Sequence, residues 1–219
     1  MGVILILLTI CGLVIAAILL IFARATKKSW LETFVLGGIA TWMSGYIILL
    51  FIGSFFSVER TLAFNEPKQY CGFYLDCHMH TSVTGARTTK TIGERSANGV
   101  FYVVTVKVFS NARGATLGLS TVDAHVVDAE DHTYTRDMQA EAQLASQPEF
   151  EKRIAPTESF EKEIVFDLPV DVKNPRLDMR EGYGIDHAIE AVLIDDEDSI
   201  LHKRNYFKLR EQRNTVSVK

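Results

Sequence analysis

The residues best suited to chemistry lie in one short stretch, CGFYLDCHMH at 71–80. Asp76, His78 and His80 alternate along a predicted strand, so their side chains would share one face. Carboxylate and imidazole groups in this arrangement suit copper or zinc once a further ligand completes the set. The candidates for that ligand are His125, His132 and His202. The alternative is an exposed polar strand face that binds no cofactor.

Cys71 and Cys77 are the two cysteines outside the apolar segments of the chain. An oxidising compartment would favour a disulfide between them. On one straight strand, however, this separation spans about 20 Å, whereas a disulfide requires Cα atoms within about 7 Å of each other. The bond therefore needs a turn or bulge, for which Gly72 is the candidate. The sequence leaves both the bonded and the free state open.

Two apolar segments without charge, 2–23 and 34–57, begin the chain. Each is long enough for a helix to cross a bilayer core of about 30 Å. Because Arg24, Lys27 and Lys28 make the connection basic, the connection is predicted to be cytoplasmic, with the remainder of the chain outside the cytoplasm. The chain is therefore expected to be a membrane protein. No ionisable residue lies inside either segment, which argues against transport or proton pumping by this chain alone.

Small residues recur on both apolar segments. The first carries Gly12 and Ala16, and the second carries Gly37, Thr41 and Gly45 at intervals of four. This spacing lets transmembrane helices approach closely. The face could serve to pack the two helices on each other or to dock another membrane subunit, and the pattern favours neither.

The rest of the chain divides into a linker at 58–69, a β-rich domain at 70–209 and a basic tail at 210–219. Alternation at 70–83, β-branched residues at 100–110 and a strand at 160–168 are typical of short strands separated by turns. A short helix is predicted at 137–146. The acidic run at 195–198 is interpreted as a solvated hairpin tip. The predicted fold is a transmembrane helical hairpin followed by an all-β antiparallel sandwich.

Three local patterns accompany these strands: a glycine-bounded loop from Gly93 to Gly99, Asn111 after the strongest strand, and IAPTESF…FDLP at 154–169. In these features the segment 70–209 resembles the telokin-like, immunoglobulin-type domains of unknown function on anchored bacterial proteins. That family usually has glycine where this chain has Thr157. The resemblance implies an immunoglobulin-like sandwich in the bacterial envelope, and it carries no catalytic residues. Together with the two apolar segments, it implies a location in the bacterial inner membrane.

The net charge and the enzyme motifs that the sequence lacks exclude several classes of protein. The formal net charge is −4, and the acidic excess lies after residue 57, which excludes a basic nucleic-acid binder. Signatures of serine hydrolases, zinc proteases and nucleotide-binding loops are missing. We therefore expect no enzyme, no catalytic or cofactor-binding residues, and a structural or accessory subunit whose partners are membrane proteins and the lipid bilayer. The alternatives are a periplasmic copper or zinc module and an envelope ligand-binding or sensing domain.

Overall fold

The structure, a computed structural model, describes residues 2–72, 76–182, 184–194 and 196–209. The chain forms two compact units. One comprises Met1–Val58 and Gly184–Arg204, and the other comprises Glu59–Tyr183 and Asn205–Lys219. The first unit is mainly helical and the second is a β-sandwich.

Two long helices, α1 (Gly2–Ala25) and α2 (Ser29–Phe56), dominate the helical unit. Both are long and apolar enough to cross a membrane. Helix α2 begins five residues before the predicted 34, and Glu32 in its first turn is placed favourably for the helix dipole. Glu32 also pairs with Arg24 at 3.1 Å across the connection. The indole Nε1 of Trp42 donates to the Thr9 hydroxyl at 3.0 Å, which links the two helices.

The sandwich has two sheets. The four-stranded sheet is antiparallel, in the order β2 (Lys68–Gly72), β3 (Asp76–Ile92), β4 (Arg95–Ser110) and β7 (Ser159–Leu168). The five-stranded sheet has the order β1 (Arg60–Leu62), β9 (Asn205–Lys208), β8 (Arg176–Glu181), β5 (Val122–Val127) and β6 (Thr133–Thr135). Its pairs are antiparallel except β1 with β9, which is parallel. Two short helices complete the fold, α3 (Met138–Glu141) in the sandwich and α4 (Gly184–Glu190) in the helical unit.

Alternating residues of the strands form the core between the sheets. Val104, Val106 and Val108 of β4 are fully buried, and they belong to the same cluster as Phe166 and Phe207. This is the alternation expected when one face of an antiparallel sheet packs on a second sheet. The prediction of two apolar helices followed by an antiparallel sandwich is confirmed.

Several predicted boundaries differ from the structure. The single strand predicted at 70–83 is wrong, because β2 and β3 divide it and run antiparallel to each other. The predicted linker at 58–69 contains β1 and the start of β2. Residues 184–204, predicted within the sandwich, group with the helices instead. The helix predicted at 137–146 ends at Glu141. The predicted basic tail at 210–219 lies outside the described residues.

Candidate functional site

The paired cysteines lie where β2 and β3 meet. Gly72 pairs with Asp76 in the register of these strands, so the chain reverses between them. The reversal brings the Cα atoms of Cys71 and Cys77 to 3.9 Å, and their sulfur atoms form a disulfide. The separation of about 20 Å applied only to a straight strand. The two cysteines are instead on paired strands, and residues 73–75 between these strands lie outside the described residues.

His78 and His80 follow the disulfide on one face of β3. The Nδ1 atom of His78 lies 2.7 Å from the side-chain oxygen of Asn111. The ring of His80 stacks on Phe109 with centroids 5.2 Å apart, and neither of its buried nitrogens has a hydrogen-bond partner among the described residues. Burial lowers the pKa of His80, so its imidazole is neutral at pH 7. The side chain of Asp76 lies outside the described residues.

Two of the further ligands predicted from the sequence, His125 and His132, pair with carboxylates elsewhere, whereas Nδ1 of His202 is buried without a hydrogen-bond partner among the described residues. His125 Nε2 lies 3.3 Å from a carboxylate oxygen of the buried Asp178. Among the described side chains, two groups of three ligand-type residues have ligand atoms within 4.8 Å of one another, and neither group contains His78 or His80. These groups are Asp128 with Glu130 and His132, and His187 with Glu190 and Asp198. Sequence reasoning missed both, although alternation in the run DAEDH at 128–132 was a signal for the first.

The turn between β5 and β6 is organised by Asp128, a buried carboxylate. Its oxygens accept hydrogen bonds from the backbone N–H groups of Glu130 and His132 at 2.8 and 3.0 Å, and from the Tyr134 hydroxyl at 3.0 Å. Burial alone would raise the pKa of Asp128, but these bonds lower it to about 2. The carboxylate therefore already has the donors that stabilise its charge, and its arrangement is that of a turn-forming residue.

The small residues of α2 line a groove of about 660 Å³. A Cβ atom added at Gly37 or Gly45, or at Gly12 of α1, would meet no atom within 4 Å. Close approach of α1 and α2 therefore does not account for these glycines. Ala16 of α1 is half-buried. The groove lies along one side of α2 and is lined by Leu5, Thr33, Phe34, Gly37, Gly38, Thr41, Trp42, Gly45, Tyr46 and Leu49.

These features define a β-sandwich protein that begins with two apolar helices. Residues 76–189 match the domain of unknown function DUF4352, so the chain belongs to that family. The match is to a domain of unknown function, and it is not a match to an enzyme family. A comparison with curated protein sequences gives no match.

Several solved structures have a similar fold. One is the secreted protein MPT63 of Mycobacterium tuberculosis, which is 15% identical, with 58% of this chain and 92% of that chain covered at a TM-score of 0.41. The yjhA protein of Bacillus subtilis is 10% identical, and the comparison covers 68% of this chain and 100% of that chain at a TM-score of 0.44. An uncharacterised β-sandwich protein of Clostridium difficile is 8% identical, and the comparison covers 70% of this chain and 96% of that chain at a TM-score of 0.40. The narrower telokin-like and immunoglobulin-like classification stays a prediction.

Proposed function

We propose that the chain is a non-catalytic accessory subunit, anchored in a bacterial inner membrane by α1 and α2, with its sandwich outside the cytoplasm. The observation that carries the proposal is the apolar groove on α2, which offers a surface to a transmembrane helix of a partner protein. Two further observations, on the anchor and on the disulfide, support the location.

The anchor is supported by the exposure of its apolar side chains. Ile18, Ile21 and Phe34 are 61%, 70% and 74% exposed, whereas a core helix of a soluble protein would bury such residues. In a bilayer, lipid chains would cover these side chains, so that their apolar surface would not be exposed to water. The disulfide between Cys71 and Cys77 supports a location outside the cytoplasm, since cytosolic thiols are kept reduced.

The groove is suited to a helix because its floor is made of small residues. Gly37, Thr41 and Gly45 follow one another at one-turn intervals and would let a second backbone come close. Trp42 and Phe34 at its sides provide large apolar surfaces for dispersion contacts. A partner helix would thus gain close packing over several turns without any change in the hairpin itself.

The test is the native mass of the full chain, extracted from its own membrane in mild detergent, with co-purifying chains identified. Gly45→Leu should reduce the amount of partner that co-purifies, because the leucine side chain would fill the groove. The substitution should not disturb the chain itself, since no atom lies within 4 Å of a Cβ atom added at Gly45. Ala40→Leu is the matched control, since Ala40 is exposed on α2 but does not line the groove. Recovery of the same partner with both variants, or of no partner with the unchanged chain, contradicts the proposal.

Metal binding is the second candidate function. It is favoured by His80, whose neutral ring has two buried nitrogens that make no hydrogen bond of good geometry in the described part of the chain, although the Asn111 side chain is near enough to act on its pKa. Copper or zinc would be held by His78 and His80, with Asp76 as the remaining predicted ligand. Calorimetric titration with Cu²⁺ and Zn²⁺ tests this, with His78→Gln/His80→Gln as the variant and Glu94→Gln, at an exposed carboxylate outside both groups of ligand-type residues, as the control. Equal heats for the two variants would rule the site out. The ligand-sensing alternative stays a prediction.

A further inference from the structure

Residues 184–204 leave the sandwich between β8 and β9 and lie along the C-terminal part of α2. The Tyr46 hydroxyl donates to the carbonyl oxygen of Val192 at 2.6 Å. The backbone N–H of Lys203 donates to the Ser57 hydroxyl at 2.8 Å. Between these two points the hydroxyl oxygens of Ser54 and Ser199 are 3.4 Å apart. The segment is thus held at several points along the helix, and it belongs to the same compact unit.

The position of this segment along the axes of α1 and α2 follows from the helix residues that it contacts. Tyr46 lies about 15 Å along the helix axis from the end of α2 at Phe56, given the helical rise per residue. At the start of α1, Gly2 lies so close to Ile194 that an added Cβ atom would collide with the carbonyl oxygen of that residue. The segment therefore lies beside the start of α1 and the final turns of α2. Under the proposed anchoring, these ends reach the extracytoplasmic surface of the bilayer.

The segment exposes large apolar side chains. Ile200 and Leu201 are 51% and 72% exposed, and Ile189 and Val192 are 37% and 43% exposed. In the sandwich unit, the large apolar side chains that are exposed within the described residues are Met138 and Val170. The segment is far shorter than the sandwich, so its exposed apolar surface is concentrated. Such concentration marks a surface that contacts something other than water.

Leu201 lies in a tight turn. The backbone N–H of His202 donates to the carbonyl oxygen of Ser199 at 3.0 Å, which closes a four-residue turn around Ile200 and Leu201. The φ of Leu201 is 64°, as the second central residue of a type II turn requires. The turn therefore presents two large exposed apolar side chains next to each other.

We infer that residues 184–204 form a third membrane-contacting element, which lies in the outer interface of the bilayer with Ile200 and Leu201 among the acyl chains. The inference rests on the proposed anchoring. Lipid is the occupant because the apolar surface continues that of the helix ends, where Phe55 and Phe56 are 80% and 74% exposed. Interfacial elements of this kind bury their apolar face by about 5–10 Å.

The charges of the segment indicate which type of lipid headgroup it would contact. It carries six acidic and two basic residues, so anionic headgroups would repel it and zwitterionic ones would not. Burial raises the pKa of Glu190 and of Asp196, which lowers the cost of holding these carboxyls at an interface. Arg204 lies 3.4 Å from Asp198 and compensates part of the negative charge.

The experiment uses the full chain in phosphatidylcholine vesicles that contain lipids with a nitroxide near the headgroup or near the chain end. A polarity-sensitive fluorophore is attached to one cysteine at a time, with the disulfide left oxidised. The exposed Cys11 of α1 reports on the anchor. Leu201→Cys and Ile200→Cys report on the segment, and Val170→Cys reports on the sandwich, the last three in a Cys11→Ser background. Two segment positions guard against one variant that fails to fold.

The expected result is a graded pattern. The fluorophore at Cys11 loses most intensity with the deep nitroxide, those at Leu201 and Ile200 lose most with the shallow nitroxide, and the one at Val170 is unaffected by either. If both segment positions behave like Val170 while Cys11 is quenched, the inference is overturned and the anchor stands. If Cys11 is not quenched either, the proposed function itself fails.

Discussion

The turn before β7 leads to a prediction about Thr157. The backbone N–H of Glu158 donates to the carbonyl oxygen of Ala155 at 3.1 Å, which closes a four-residue turn around Pro156 and Thr157. Thr157 has a φ of 67°. Proline followed by a residue with positive φ is the pattern of a type II turn, which favours glycine at the second central position. Thr157→Gly should therefore stabilise the sandwich.

The size of the effect follows from two opposing contributions. A left-handed conformation costs an L-residue about 1–2 kcal/mol, and glycine avoids that cost. Glycine has more freedom in the unfolded chain, which costs about 0.5–1 kcal/mol. Because Thr157 is exposed, little packing is lost with its side chain. The net gain should be about 0.5–1 kcal/mol, equivalent to a rise of about 1–4 °C in Tm for a chain of this size.

The assay is urea unfolding of the full chain in mild detergent, followed by circular dichroism at a β-sheet wavelength. Tryptophan fluorescence would be unsuitable, because both tryptophans, Trp30 and Trp42, lie in α2. Thr116→Gly is the matched control, an exposed loop threonine without a positive φ, and it should destabilise through the entropy of the unfolded chain alone. A Thr157→Gly variant that loses as much stability as Thr116→Gly would refute the reasoning.

Three further predictions concern stability and can be measured with the same unfolding assay. Glu141→Ala should cost about 2–3 kcal/mol, because it leaves the half-buried Arg136 and a buried backbone N–H of β7 without their acceptor, whereas Glu141→Gln should cost less. Reduction of the disulfide should remove about 2 kcal/mol by the loop-entropy relation, and a Cys71→Ser/Cys77→Ser variant should no longer respond to reductant. The pKa of Asp128 is lowered from 3.8 to about 2, so its contribution is present above the higher value and is lost as the pH falls toward the lower one. Asp128→Asn should flatten that part of the pH profile, and an unchanged slope would contradict the assignment.

Local patterns in the sequence predict most of the sandwich. The run from Val100 to Ser110 alternates between core and surface as expected, and β7 matches its predicted range closely. The apolar helices follow from length and composition alone. Even Thr157, which departs from the glycine of the resembling family, occupies a backbone position with positive φ. These features depend on contacts between near neighbours and on side-chain alternation.

The features that could not be predicted depend on long-range partners. Alternation at 70–83 is equally compatible with one strand or two, and only the pairing of Gly72 with Asp76 distinguishes them. The position of residues 184–204 depends on hydrogen bonds to Tyr46 and Ser57, which lie far away in the sequence. The contact between His125 and Asp178 also depends on residues far apart in the sequence, because the pairing of β5 with β8 places them opposite each other.

The parallel pairing of β1 with β9 has a consequence for synthesis. Arg60, which follows closely after α2, pairs with Asn205 near the other end of the chain. Strand β9 lies between β1 and β8 in the five-stranded sheet, so β1 cannot join this sheet until the ribosome has synthesised β9. Strand β1 must therefore remain without its partner strand during synthesis, when exposed strand edges are prone to aggregate. A nascent chain released before Asn205 would lack the strand that joins the two sides of this sheet.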